Sequence, residues 1–170
     1  MEQSTALFEL ARAYHSARDV DSLLKAFTGH LGPRLRARAV LVWLRADEES
    51  PLTCRGGWFD VGERFSPAPE PPTAGLLVEM LGATRARRVA AQEVTPSVVA
   101  HLARNDRERV RSALFAPLVS PKGVVGVVEC LNKQGEFTAD DAAYLEEVCR
   151  LSGPAFATHL LWELDQRQQL

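Results

Sequence analysis

Apolar residues along this chain follow two rhythms, and their alternation outlines the fold. Residues 4–16 place Leu7, Phe8, Leu10, Ala11 and Tyr14 mostly on one helical face, and Ser4 is a side chain suited to capping the start. A second helix is expected from Asp19. Leu23, Leu24, Phe27 and Leu31 recur at helical spacing, and Gly32-Pro33 is expected to end it. The rhythm then changes. Residues 37–46 (ARAVLVWLRA) form a continuous apolar run of strand length, which predicts a strand buried on both faces. An acidic turn at 47–51 lets 52–58 return as its hairpin partner. Residues 66–73 (SPAPEPPT) hold four prolines and predict an extended loop.

The second half repeats the scheme with shorter pieces. Residues 75–81 read as a short helix closed by Gly82, and 88–90 as a short strand. Thr95-Pro96 opens another helix, since proline suits the first helical position, and Val98, Val99 and Leu102 give it an apolar face. Residues 104–111 (RNDRERVR) are strongly charged. Strands follow at 112–119 and 124–131, joined by a hairpin turn at 120–123. Thr138 opens a long last helix over 138–168, with Asp141 placed three residues on as in a capping box. Gly153-Pro154 is expected to bend it. The strongest strand pairs are hairpins. The pattern therefore predicts an α+β fold with a mainly antiparallel sheet, helices packed on it and the terminal helices on one face. No linker or repeat divides it, so 1–170 reads as one domain, with residues 1–16 as its N-terminal helical segment.

Composition narrows the class. Hydrophobic residues make up 46% and charged residues 25%, which is globular rather than disordered. A net charge of -2 gives no reason to expect nucleic acid or an anionic membrane as partner. Apolar runs are too short to span a bilayer. Cys54, Cys130 and Cys149 are far apart with no zinc spacing, and an odd cysteine count without a signal peptide suggests a cytoplasmic protein.

Two stretches carry a family resemblance. Residues 111–145 (RSALFAPLVSPKGVVGVVECLNKQGEFTADDAAYL) and 75–82 (GLLVEMLG, after the proline-rich loop) resemble the GAF family of small-molecule-binding sensory domains. The resemblance implies a GAF-like sheet and a regulatory rather than enzymatic role, with a small-molecule ligand and an output domain attached after the last helix. GAF domains of cyclic-nucleotide-regulated phosphodiesterases carry an Asn-Lys, Phe, Asp-Glu motif. Asn132, Lys133, Phe137 and Asp141 match it, while Ala142 replaces the final Glu. The cofactor thus stays open, with a cyclic nucleotide implied by an incomplete motif. One GAF-like family, the free methionine-(R)-sulfoxide reductases, uses clustered cysteines. Cys54 and Cys130 lie on strands that can approach one another, although that family's cysteine pattern is not recognisable.

Candidate ligand residues follow from chemistry. Glu129 sits between Val128 and Cys130 in a buried strand, where an acid must be paired or face a wet cavity. It is either a pocket carboxylate or the partner of an arginine such as Arg111 or Arg45. Trp58, Phe59 and Phe115, with Trp43, can line a pocket for a planar ring or simply fill the core. Arg88, with Arg85, Arg87 and the arginines of 104–111, can bind a phosphate or form a solvated surface. His15, His30, His101 and His159 are scattered and read as surface or packing residues. Leu7, Leu10, Tyr14, Leu160, Leu161, Trp162 and Leu164 offer more apolar surface than one sheet face covers. A homodimer through the terminal helices is the expected partner. Lys133 and Asp141 are expected to pair across the last turn.

Overall fold

The computed structural model describes residues 2–169. Five antiparallel strands form one sheet in the order β2-β1-β5-β4-β3: β1 (Ala39–Leu44), β2 (Thr53–Phe59), β3 (Arg87–Val89), β4 (Ala113–Ser120) and β5 (Gly123–Leu131). The helices are α1 (Glu2–Ser16), α2 (Val20–Leu35), α3 (Leu76–Glu79), α4 (Pro96–Val99), α5 (Arg104–Arg107) and α6 (Ala139–Gln168). Two 3-10 turns, Met80–Gly82 and Ala91–Glu93, flank β3.

Alternation along the strands gives the sheet two different apolar faces. Val40, Val42 and Leu44 of β1, with Leu114, Ala116, Val128 and Cys130, pack under the long helices α1, α2 and α6. Ala39, Leu41 and Trp43, with Phe115, Val127 and Leu131, pack under short helices and loops through Phe65, Leu77, Met80 and Leu102. Three long helices share the first face, while the second is covered by helices of four residues and loops.

The helical face is tightly keyed. Phe27 of α2 meets Phe156 of α6 edge to face at 5.5 Å, and the Tyr14 hydroxyl hydrogen-bonds Ser152 Oγ at 2.6 Å. Gly153 lets α6 touch β4, since a Cβ there would stand 1.9 Å from the Val119 carbonyl oxygen. α6 is one continuous helix through Pro154. Arg55 of β2 clamps Glu163 of α6 with two hydrogen bonds of 2.9 and 3.1 Å.

Several local expectations are corrected. Ser4 lies inside α1, which already begins at Glu2. Gly32-Pro33 does not end α2. The proline sits in the last turn, where its missing N–H costs a single bond, and the chain leaves the helix at Arg36 in the left-handed conformation (φ 55°). Strand β1 is shorter than its apolar run. Thr138 does open α6, its hydroxyl accepting from the Asp141 N–H at 3.1 Å while Asp141 accepts from the Thr138 N–H at 2.8 Å.

Of the apolar residues expected to form a dimer, Leu10, Tyr14 and Leu160 are buried in the chain's own core, Leu7 and Leu164 are half-buried, and Leu161 and Trp162 stand 46% and 55% exposed on α6. Phe8 of α1, outside that set, is 64% exposed. Among the described residues no helix is long and apolar enough to cross a membrane.

Candidate functional site

The sheet face under the loops carries a buried carboxylate at its centre. Register places Glu129 on β5 between Leu41 of β1 and Phe115 of β4, with its side chain on the face that Leu41 and Phe115 share. It is fully buried. Its partners are neither Arg111 nor Arg45. The Trp43 indole N–H donates to Oε1 at 3.1 Å, and His101 Nε2 hydrogen-bonds Oε2. Arg45 instead donates to the Val124 carbonyl at the sheet edge. The reason is topological: those arginines emerge at strand ends, while Glu129 lies mid-strand beneath the covering segment that delivers His101.

His101 is the residue that sequence reading missed. It sits in the turn after α4, within the string Val98-Val99-Ala100-His101-Leu102, where an apolar context reads as packing. Its ring meets Trp43 edge to face at 5.3 Å and Phe115 at 6.2 Å, so one acid and one base are walled by aromatic rings. His101 is also among the residues lining a cleft of 690 Å³ between the proline-rich loop and residues 100–107. The loop is stitched to the same backbone: the Ala68 N–H donates to the His101 carbonyl at 2.8 Å, and the Ala103 N–H to Ser66 at 2.9 Å. The loop and the segment holding Glu129 are thus hydrogen-bonded to one another.

Charged residues of the covering segment hold it in place. Arg107 donates to the Leu102 and Ala100 carbonyls, each at 2.9 Å. Arg109 binds Asp106 and the Arg64 carbonyl, and lies 4.3 Å over the Phe65 ring. Arg85 pairs with Glu146 of α6.

The remaining sequence candidates separate. Phe115 is with Glu129. Phe59 packs on the same face, under the Arg64 guanidinium at 5.4 Å. Trp58, one residue away, necessarily points to the opposite face and lies against Gly32 of α2. Arg88 is exposed on β3 opposite Leu114, a helical-face residue. These five side chains thus line two faces rather than one pocket, because neighbours along a strand alternate.

The motif residues form a compact corner. Asn132 adopts a left-handed φ of 61°. Its Oδ1 accepts from the Arg111 and Ser112 N–H groups, and its Nδ2 donates to the Arg109 carbonyl. Lys133 Nζ stands 2.6 Å from Asp141 Oδ2, and Phe137 is buried beside them. This corner ties β5 to α6 and holds the segment leading into β4.

The thiols are dispersed. Cys54 pairs with Trp43 on the loop-covered face, while Cys130 and Cys149 lie in the helical core. Burial pushes the Cys54 thiol up to about 11 and the other two above their ordinary value. Among the described residues no group of His, Cys, Asp and Glu is arranged to hold a metal ion.

A family model described as GAF domain matches residues 17–157. The chain belongs to the GAF domain family. The match runs from just before α2 into α6 and so includes all five strands. No match is found among curated proteins. Solved structures agree on the fold. The GAF domain of an Acinetobacter phosphoenolpyruvate-protein phosphotransferase superposes with a TM-score of 0.73 at 15% identity, over 92% of this chain and 93% of that one. A free methionine-R-sulfoxide reductase from Neisseria meningitidis, in complex with its substrate, gives 0.70 at 17%, over 99% and 92%. Residues 122 to 287 of a methyl-accepting chemotaxis protein give 0.70 at 16%, over 91% and 98%. At these identities the likeness concerns the GAF fold alone.

Proposed function

We propose that this chain is a regulatory GAF module that divides its work between the two sheet faces. The loop-covered face around Glu129 receives the signal as a small-molecule ligand. The terminal helices of the other face pair with a second copy and pass the signal to an attached output domain. The observation that carries the reading is the fully buried Glu129, held by Trp43 and by a His101 that is also among the residues lining the outer cleft. A purely structural core has little use for an acid there, since a well-packed apolar group of similar volume is often as stable or more so. Here the carboxylate sits under the short helices and loops of the fold, and the histidine bonded to it belongs to the segment that lines the outer cleft. Phe8, Leu161 and Trp162 support the pairing of helices, because they are large, apolar and exposed on α1 and α6.

Two experiments test the halves separately. Light scattering should give a dimer mass for the native chain and a monomer mass for a Phe8→Glu, Trp162→Glu variant; a concentration-independent monomer for the native chain rejects the pairing. Native mass spectrometry of gently purified protein should find a small-molecule adduct that is lost in His101→Gln and Glu129→Gln. Protein that carries no adduct, and folds as well with leucine at both 101 and 129, would leave a dimerisation scaffold without a ligand.

The reductase among the structural neighbours motivates a second reading, a thiol enzyme. Cys54 and Cys130 face opposite sides of the sheet, and their burial favours the protonated thiol over the nucleophilic thiolate. We expect no methionine sulfoxide reductase activity. Turnover that disappears in Cys130→Ser would establish the enzyme instead.

A further inference from the structure

A second cleft lies on the rim of the helical face, where the end of α2, the start of β1, the end of β2 and the β5–α6 turn converge. It measures 580 Å³ and is lined by Trp58, Arg36, Arg38, Lys133, Asp60 and Gln134, among others. That volume suits a small organic ligand. We propose that this cleft binds an aromatic phosphate monoester, its ring on Trp58 and its dianion among Arg36, Arg38 and Lys133.

Donor counting supports the anion. Arg38 spends one N–H on Asp60 at 3.0 Å, and Lys133 one N–H on Asp141 at 2.6 Å, so both retain unused donors. The Arg36 guanidinium has no hydrogen bond or ion pair among the described residues and keeps its whole planar fork, a shape matched to phosphate. Its backbone adds an independent argument. Arg36 holds φ 55° at the end of α2, a conformation that glycine adopts without strain and arginine does not. An arginine kept in a glycine position, with its charge unpartnered, points to a role outside folding. The α2 carbonyls nearest the cleft are already occupied, since the Arg36 and Ala37 N–H groups donate to Pro33 and Gly32.

Trp58 supplies the flat surface. Its six-membered ring lies against Gly32, where an added Cβ would stand 2.2 Å away, so α2 fixes the indole at the cleft wall. Trp58 and Glu129 lie on opposite faces of the sheet, and the two sites are separate.

The backbone position also provides a clean test. Arg36→Gly deletes the guanidinium while relieving the left-handed strain, so the variant should melt at the native temperature or above it. Phenyl phosphate is the probe, with phenol and inorganic phosphate as its two halves, followed through the amide resonances of Gly32 and Gln134. Phenyl phosphate should give saturable shifts that weaken with added salt. Its affinity should fall at least about tenfold in Arg36→Gly and in Trp58→Leu, with each half-ligand similarly weaker than the whole. His101 resonances should not move. No saturable shift, equal binding by Arg36→Gly, or inorganic phosphate bound as tightly as phenyl phosphate would each overturn the proposal.

Discussion

The two faces of this sheet are built from similar strand residues but covered in opposite ways. Valines and leucines project to both sides of β1, β4 and β5. On one side, three long helices seal them with aromatic and aliphatic contacts, joined by the Tyr14–Ser152 and His30–Tyr144 hydrogen bonds and the Arg55–Glu163 clamp. On the other, helices of four residues and long loops enclose an acid, a histidine and an indole. Long helices bring many side chains per element and resist local opening. Short pieces held by loop hydrogen bonds and surface arginines open at lower cost. The comparison teaches where rigidity and responsiveness reside in one small fold.

The largest effect is expected on the loop-covered face. His101→Ala removes one of the two hydrogen-bond partners of the buried Glu129 and leaves a cavity, and should cost about 3 kcal/mol in denaturant unfolding, whereas leucine at both 101 and 129 should recover most of that loss. If His101→Ala is nearly neutral, water already reaches Glu129 and the face is open rather than sealed. On the helical face, Gly153→Ala forces α6 away from the Val119 carbonyl and should cost about 1–3 kcal/mol by overpacking. A smaller loss would show that α6 yields, and the rigidity contrast would shrink. At the corner joining the faces, Thr138→Ala removes the cap of α6 and should cost about 1 kcal/mol in thermal or chemical melts.

The smallest effect is a pH dependence on the helical side. His30 is half buried and hydrogen-bonded to the Tyr144 hydroxyl at 2.6 Å, and burial together with Arg34 lowers its pKa from the ordinary 6.5. The fold therefore disfavours the charged imidazole. As pH falls through about 6.5 the unfolded chain takes up the proton first, so stability is lost below that value until the folded form protonates too. Above it, His30 contributes no pH dependence. His30→Gln should flatten the decline between about pH 7 and 5, read from midpoints of unfolding.

Much of the fold was legible because period and punctuation agreed. The apolar run of β1, the hairpin turn at 120–123 and the Thr138 cap each pointed to one structure, and Lys133 stands against Asp141 at the predicted turn. Departures came where one residue had two readings. Pro33 reads as a stop, yet in a last turn it removes one bond, and the left-handed Arg36 ends α2 instead. Sites were harder. Glu129 announced itself as an acid in a buried strand, but its partner arrives from twenty-eight residues away through a loop of unpredictable path. Trp58 and Phe59 looked like one aromatic pair, and only the register shows that they serve opposite faces. The cleft at Arg36 and Arg38 gave no sequence signal, because two arginines beside a helix end are ordinary until φ and the cleft walls are known.

Hydrogen exchange followed by mass spectrometry at low and high protein concentration tests the division of labour most directly. Segments 60–75 and 90–111 should exchange quickly at both concentrations, while α2 and the central strands stay protected. α1 and the end of α6 around Leu161 and Trp162 should gain protection on concentration as copies pair. Exchange in α1 and α6 that ignores concentration, or loop segments as slow as the central strands, would contradict the account.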